Sequence, residues 1–248
     1  MAISRNLNLT KTLIEAELNK FADYVAEPFL KSAINYALFP GKRLRAKLLL
    51  RCITNYNQDI CEQALAAAAA IEVTHAFSLV HDDMPALDNA DTRRGMHSFF
   101  KKFGEDNALL VGDLLQYLAQ MHLKNYPELL ALLITRAKDM VIGQLLETNR
   151  PAKNFKELEN IQKLKTVSLF LLCGEIAASI LKLPAAESQK LLASCYAFGQ
   201  NLQWHDDIAD ILEDSPGTNA LQFISQAELE AKILANDAII DNSILQFN

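Results

Sequence analysis

Two short runs of this 248-residue chain concentrate carboxylates at spacings that suit divalent cations. The first reads His81-Asp82-Asp83-Met84-Pro85-Ala86-Leu87-Asp88-Asn89-Ala90-Asp91-Thr92-Arg93-Arg94-Gly95. The second reads Gln203-Trp204-His205-Asp206-Asp207-Ile208-Ala209-Asp210. Asp206 and Asp210 are four apart and share one face of a helix. Asp207 stands about 100° round from Asp206. Asp82 and Asp88 are six apart, a spacing that a straight helix does not align. Pro85 between them predicts that the helix ends there and that Asp88 curls back beside Asp82. Like charges at helical spacing repel, and Asp at a helix C-terminus opposes the dipole. A bound cation removes both costs. A few carboxylate oxygens, completed by water and phosphate, make a shell that Mg²⁺ prefers. Two such clusters facing each other would cage metal ions, and the ions would hold a polyphosphate.

A metal-diphosphate site also needs cationic side chains. Arg93 and Arg94 follow the first cluster, Lys42, Arg43, Arg45 and Lys47 crowd one short stretch, and Lys165-Thr166 interrupts an apolar context. Taken alone, Lys42 to Lys47 reads as a solvated helix face. His75 lies two helical turns before Asp82 and by itself reads as a core histidine bonded to backbone.

Long helices must carry these residues. Half of the chain is hydrophobic, and only 8 Gly and 7 Pro interrupt it, which favours helices over a many-turned β architecture. Apolar periodicity predicts helices over Leu13–Val25, Lys42–Tyr56, Cys61–Val80, Asn107–Asn125, Pro127–Asn149, Gln162–Leu181, Ala185–Leu212 and Ala227–Leu245. Turns are expected at Phe39-Pro40-Gly41 and over Asp214–Asn219. Cys61–Val80 is apolar all round and belongs in the middle of a bundle. No Gly/Ser-rich linker divides the chain, so one all-α domain over 1–248 is the simplest account.

The net charge of −6 argues against a general nucleic-acid binder. Cys52, Cys61, Cys173 and Cys195 form no metal-binding spacing and read as free thiols in a reducing compartment. The N-terminus lacks a signal-peptide core, and Glu175 interrupts the most apolar stretch, so no transmembrane segment and a cytoplasmic setting are expected.

Further motifs occur in order with these: Pro40-Gly41-Lys42-Arg43-Leu44-Arg45, Lys102-Phe103-Gly104-Glu105, Gly112-Asp113 and Gly143-Gln144. With them, the chain from about Tyr36 to Asp210 resembles the trans-isoprenyl diphosphate synthases, most closely the bacterial farnesyl diphosphate synthases (geranyltranstransferases). The resemblance implies an all-α helical bundle around a deep central cavity, paired as a homodimer. It implies three Mg²⁺ ions assembled with an allylic diphosphate, with Asp82, Asp88, Asp206 and Asp210 as metal ligands and Asp83 and Asp207 nearby. Asp82, Asp83, Asp88, Arg93 and Lys165 would be catalytic. Arg93, Lys165, Thr166 and Gln203 would hold the allylic diphosphate, and Lys42, Arg45, His75 and Arg94 the isopentenyl diphosphate. Phe77 and Ser78, five and four residues before Asp82, would set chain length, and an aromatic ring there implies a C15 product.

The region after about residue 211 departs from the family. Relatives carry a lysine-bearing loop there, whereas Ile211–Ser225 contains neither Lys nor Arg. Glu147 stands where relatives have Asp. Three readings stay open: an active short-chain prenyltransferase, a weakly active or non-catalytic regulatory paralogue, and a terpene cyclase.

Overall fold

The computed structural model describes residues 7–56, 58–211 and 215–240. They divide into two compact units, Met1–Ala131 and Leu132–Asn248.

In the first unit the helices are α1 (Leu7–Asn19), α2 (Pro28–Leu38), α3 (Leu44–Asn55), α4 (Glu62–Asp82), α5 (Phe99–Phe103) and α6 (Glu105–His122). α4 packs against α1, α2, α3 and α6, which is why its sequence is apolar on every side. Its alanines Ala66 to Ala70 are all buried and let those neighbours approach closely. Gly112 of α6 marks the tightest crossing: a Cβ there would meet the His81 ring at 2.0 Å. α2 was not among the expected helices. Pro28 at its first turn, preceded by Glu27 whose carboxylate accepts from the Leu30 amide at 2.9 Å, is the start signal in the sequence.

The first unit also holds a two-stranded antiparallel hairpin, β1 (Thr92–Arg93) and β2 (Met96–His97), where a purely helical reading has none. Arg94 and Gly95 form its turn, both at positive φ (55° and 76°), as a two-residue hairpin turn requires.

Helix α7 (Pro127–Asn149) contains the boundary between the units. In the second unit follow α8 (Phe155–Gln162), α9 (Ser168–Leu181), α10 (Ala185–Ala209) and α11 (Gln226–Asp237). The segment expected as one helix over Gln162–Leu181 begins at Phe155 instead. Asn154 caps it by accepting from the Glu157 amide at 3.0 Å. A π-helical turn, Lys163–Val167, interrupts it. α10 ends at Ala209, ahead of the expected Leu212, which lies outside the described residues, as do Asp214 and 241–245. Trp204, unusual in sequence next to an acidic cluster, packs with Leu158, Ile161, Ala220, Leu229 and Ile233 and fastens α11 to α8 and α10. A capping box between Ser225 and Glu228 starts α11.

Two described helical stretches, Glu62–Asp82 and Phe155–Leu181, are long and apolar enough to cross a bilayer. Both are largely buried by their neighbours, as core helices are.

Candidate active site

In the first unit α4 delivers Asp82 as its last residue, and Pro85 stops the helix. The chain then folds back on itself. The Asp88 amide donates to the Asp82 carbonyl at 2.9 Å, Asn89 N to Met84 O at 3.1 Å, and Ala90 N to Asp83 O at 3.1 Å. This turn returns Asp88 to the level of Asp82. Asp88 is exposed and Asp82 half-buried. Asp83, between them in sequence, points inward and is only 2% exposed. Its Oδ1 accepts from Arg93 Nε at 2.8 Å and from Arg93 Nη2. Burial pushes the Asp83 carboxyl above the usual carboxylate range, against the pull of the Arg93 guanidinium. Burial works against the charge on Arg93 too, but Asp83 raises its pKa above the ordinary value.

The hairpin places Arg93 and Arg94 beside α4. Arg94 Nη1 donates to the Pro40 carbonyl at 2.6 Å. Burial and then the neighbouring Arg43 depress its pKa. Among the described residues no carboxylate lies within ion-pair distance of Arg94. Arg43 begins α3 in a left-handed conformation (φ 57°) and is 2% exposed. Its Nε donates to Glu15 at 3.0 Å, and it faces Glu72, whose Oε1 accepts from the Ala46 amide at 3.0 Å. Arg43 is therefore a structural cation that shapes the start of α3. Arg45 follows in the first turn, half-buried, and Lys42 is exposed just ahead of it.

His75 lies on α4 among these groups. Burial pushes its pKa well below 6.5, and Arg45, Arg94, Arg93 and Arg43 push it further down. The ring is neutral at pH 7 and can donate or accept a hydrogen bond without adding charge. Phe77 is 4% exposed, its ring edge-on to His81 at 6.0 Å. The Ser78 hydroxyl donates to the His75 carbonyl at 3.0 Å.

In the second unit Lys165 and Thr166 sit in the π-helical turn, a local widening that recurs at functional sites. The turn presses on α7 at Gly143, where a Cβ would lie 2.3 Å from the Lys165 nitrogen. Lys165 pairs with the half-buried Glu147, which holds the lysine against α7. Thr166 Oγ1 donates to Gln203 Oε1 at 2.6 Å. Asp206 and Asp210 are exposed at the end of α10, with Asp210 N bonded to Asp206 O at 2.9 Å. Asp207 is 1% exposed. Its carboxylate accepts from Gln162 Nε2 and Gln203 Nε2, both at 2.8 Å, and from the Ala220 amide at 2.9 Å. The Asn219 amide side chain donates to its backbone carbonyl at 2.6 Å.

Gln162 and Asn219 were not singled out from sequence. An uncharged polar residue in an otherwise apolar stretch is the signal each carries. Glu72 is a similar case, a carboxylate within the most apolar helix.

The outward residues fit Mg²⁺ as a partial ligand set. They are hard oxygen donors at turn and helix ends, exposed or half-buried, and paired along the backbone. Among the described residues no group of three or more His, Cys, Asp or Glu side chains is gathered closely enough to hold a metal unaided.

A family model described as polyprenyl synthetase matches residues 27–220. Farnesyl diphosphate synthase of Geobacillus stearothermophilus is 33% identical over 85% of this chain and 76% of its own. The Micrococcus luteus protein of the same name is 33% identical over 84% of this chain and 75% of its own. Among solved structures, a geranyltransferase from Legionella pneumophila superposes with a TM-score of 0.81 at 30% identity, covering 96% of this chain and 91% of that one. Geranyltranstransferase from Thermotoga maritima gives 0.80 at 25% identity, over 94% and 88%. Sequence and backbone thus agree over nearly the whole length, and the chain belongs to the polyprenyl synthetase family of prenyltransferases.

Proposed function

We propose that this protein condenses isopentenyl diphosphate head to tail with dimethylallyl or geranyl diphosphate and releases farnesyl diphosphate. The observation that carries the reading is the hairpin that sets Arg93 and Arg94 beside the folded-back turn bearing Asp82 and Asp88. Arg93 is bonded to Asp83, and Arg94 has no carboxylate partner within ion-pair distance among the described residues. A guanidinium placed so beside a carboxylate turn suits a polyanion.

In this reading Asp82, Asp88, Asp206 and Asp210 hold Mg²⁺, three ions in all with the allylic diphosphate. The metal supplies charge stabilisation for the departing diphosphate. Arg93, Lys165, Thr166 and Gln203 orient that diphosphate, so that its C–O bond breaks toward an allylic cation. Lys42, Arg45, His75 and Arg94 hold isopentenyl diphosphate with its double bond toward the cation. The double bond attacks, and a proton leaves to the released diphosphate. No protein nucleophile is required. The protein's tasks are orientation and exclusion of water. Phe77, with Ser78 beside it, blocks chain growth beyond C15.

A homodimer in the cytoplasm is the proposed working form. The dimer is supported by the exposed Leu110, Tyr117 and Met121, which recur along one face of α6. The regulatory-paralogue reading is favoured by one observation, the absence of Lys and Arg from Ile211–Ser225.

The deciding experiment incubates the purified protein with Mg²⁺, labelled isopentenyl diphosphate and dimethylallyl or geranyl diphosphate. Label entering a C15 product, lost with EDTA and in Asp82→Ala, supports the proposal. Incorporation only after mixing with another synthase subunit supports the regulatory paralogue. Product from geranyl or farnesyl diphosphate alone supports a cyclase.

A further inference from the structure

We infer that the groove between the end of α7 and α8 is a second, metal-independent binding site, for a soluble organic phosphate that carries a short apolar chain. The groove lies within the second unit and uses none of the residues assigned to prenyl transfer.

The cavity there measures about 610 Å³, within the roughly 300–1,000 Å³ usual for small-molecule sites. Its lining is amphiphilic. Half-buried Leu146 and buried Ile161 give it an apolar floor, and exposed Arg150, Lys153, Asn149 and Asn160 give it a polar rim. Among the described residues the side chains of Arg150 and Lys153 have neither an ion-pair nor a hydrogen-bond partner. The carboxylate of the lining does not neutralise them. Glu157 is engaged at the start of α8, where its Oε2 accepts from the Lys153 backbone amide and its Oε1 from Asn154 Nδ2, both at 3.0 Å. That position at a helix N-terminus suits a carboxylate in its own right.

A guanidinium fork and an ammonium at one rim supply the donors that a phosphate head requires. Asn149 adds one amide hydrogen, its other being bonded to the Leu145 carbonyl at 2.8 Å. With Glu157 engaged, the groove offers no carboxylate set for a divalent ion, so binding there owes nothing to magnesium. The apolar floor selects a phosphate with a hydrocarbon chain over a bare one. The walls are also preformed. The Ala152 amide donates to the Gly217 carbonyl at 3.3 Å, and a Cβ on Gly217, whose φ is 83°, would fall 2.8 Å from Pro151 Cβ. The turn at Gly217 is itself held by Gln222, whose Oε1 accepts from the Gly217 amide and whose Nε2 donates to the Ser215 carbonyl at 3.0 Å. This turn braces the loop that carries Arg150 and Lys153, and a braced loop loses little freedom on binding.

The test titrates geranyl monophosphate into the full chain by calorimetry in EDTA, with inorganic phosphate for comparison. Wild type should bind geranyl phosphate at least about tenfold more tightly than inorganic phosphate. The double variant Arg150→Ser/Lys153→Ser should weaken geranyl phosphate at least about tenfold. Where the ligand also enters the site around Arg93 and Lys165, the double variant should lower the stoichiometry by one instead. A control of equal charge, Lys124→Ser/Lys190→Ser, should bind as wild type does. The inference is overturned if wild type binds no geranyl phosphate in EDTA, or binds inorganic phosphate equally well. It is also overturned if the double variant keeps the wild-type stoichiometry and stays within about twofold in affinity, or if the control loses as much. Wild type that sediments with phosphatidic acid vesicles but binds no soluble geranyl phosphate overturns it too. Thermal melts check folding. Should the double variant not fold, Arg150→Ser and Lys153→Ser must each weaken binding at least about threefold, or the inference fails. A chain that binds geranyl phosphate in this way yet transfers no prenyl group refutes the proposed reaction and leaves the groove standing. A chain that transfers prenyl groups but binds none in EDTA does the reverse.

Discussion

The amide of Asp88 donates to the carbonyl of Asp82 at 2.9 Å, closing a turn around Pro85 that brings two carboxylates six residues apart to one end of α4. That closure brings together residues that no regular helix would align and that we propose as a metal-ligand pair.

Replacing either member should therefore act on metal-dependent chemistry. Asp82→Ala or Asp88→Ala should lower prenyl transfer at least about a hundredfold, the scale seen when one preorganised charge stabiliser is removed. A titration of rate against Mg²⁺ checks it, and unchanged activity at saturating metal would count against the assignment.

Phe77 is 4% exposed on α4, five residues before Asp82. Phe77→Ala should lengthen the product beyond C15 and, as a core truncation, cost about 3–5 kcal/mol of stability. Chain-length analysis of the product separates the two roles. A destabilised variant that still stops at C15 would make Phe77 ordinary core.

Gly143 meets the π-helical turn so closely that a Cβ falls 2.3 Å from the Lys165 nitrogen. Backbone cannot yield as a flexible side chain can. Gly143→Ala should displace Lys165 and Thr166, lowering kcat, with an overpacking cost of about 1–3 kcal/mol in a denaturant melt. Wild-type kinetics in that variant would mean that the turn does not position these two residues.

The pKa of His75 is held well below 6.5, first by burial and then by Arg45, Arg94, Arg93 and Arg43. Protonation therefore favours the unfolded chain. The stability contributed by the neutral ring is complete above about pH 6.5 and is lost as pH falls below it toward the folded-state pKa. His122 shifts in the same direction, chiefly through burial, so it adds to the slope. Denaturant melts between pH 7.5 and 5 should show a shallower loss in His75→Gln than in wild type. Equal slopes would refute the buried neutral ring.

Much of this protein is determined by sequence alone. The apolar periodicity and few breakers dictate helices. Pro85 dictates the end of α4, because proline cannot supply the next helical amide. The ordered motifs from Pro40 to Asp210 identify the family. Where sequence reading fell short, the cause was a partner distant in the chain. The hairpin over 92–97 is too short for any strand periodicity, and its evidence is the pair of positive-φ turn residues. The π-helical turn lies inside a helix-like pattern and packs closely against α7 at Gly143, a contact that sequence periodicity does not show. Above all, the two members of each adjacent aspartate pair, Asp82-Asp83 and Asp206-Asp207, look alike in sequence. Tertiary structure alone decided that Asp83 and Asp207 turn inward, because the groups that desolvate and bond them, Arg93, Gln162, Asn219 and Ala220, arrive from other elements. Neighbouring side chains on a helix diverge by about 100°, and which of two equal carboxylates meets water is settled by what packs against the helix end.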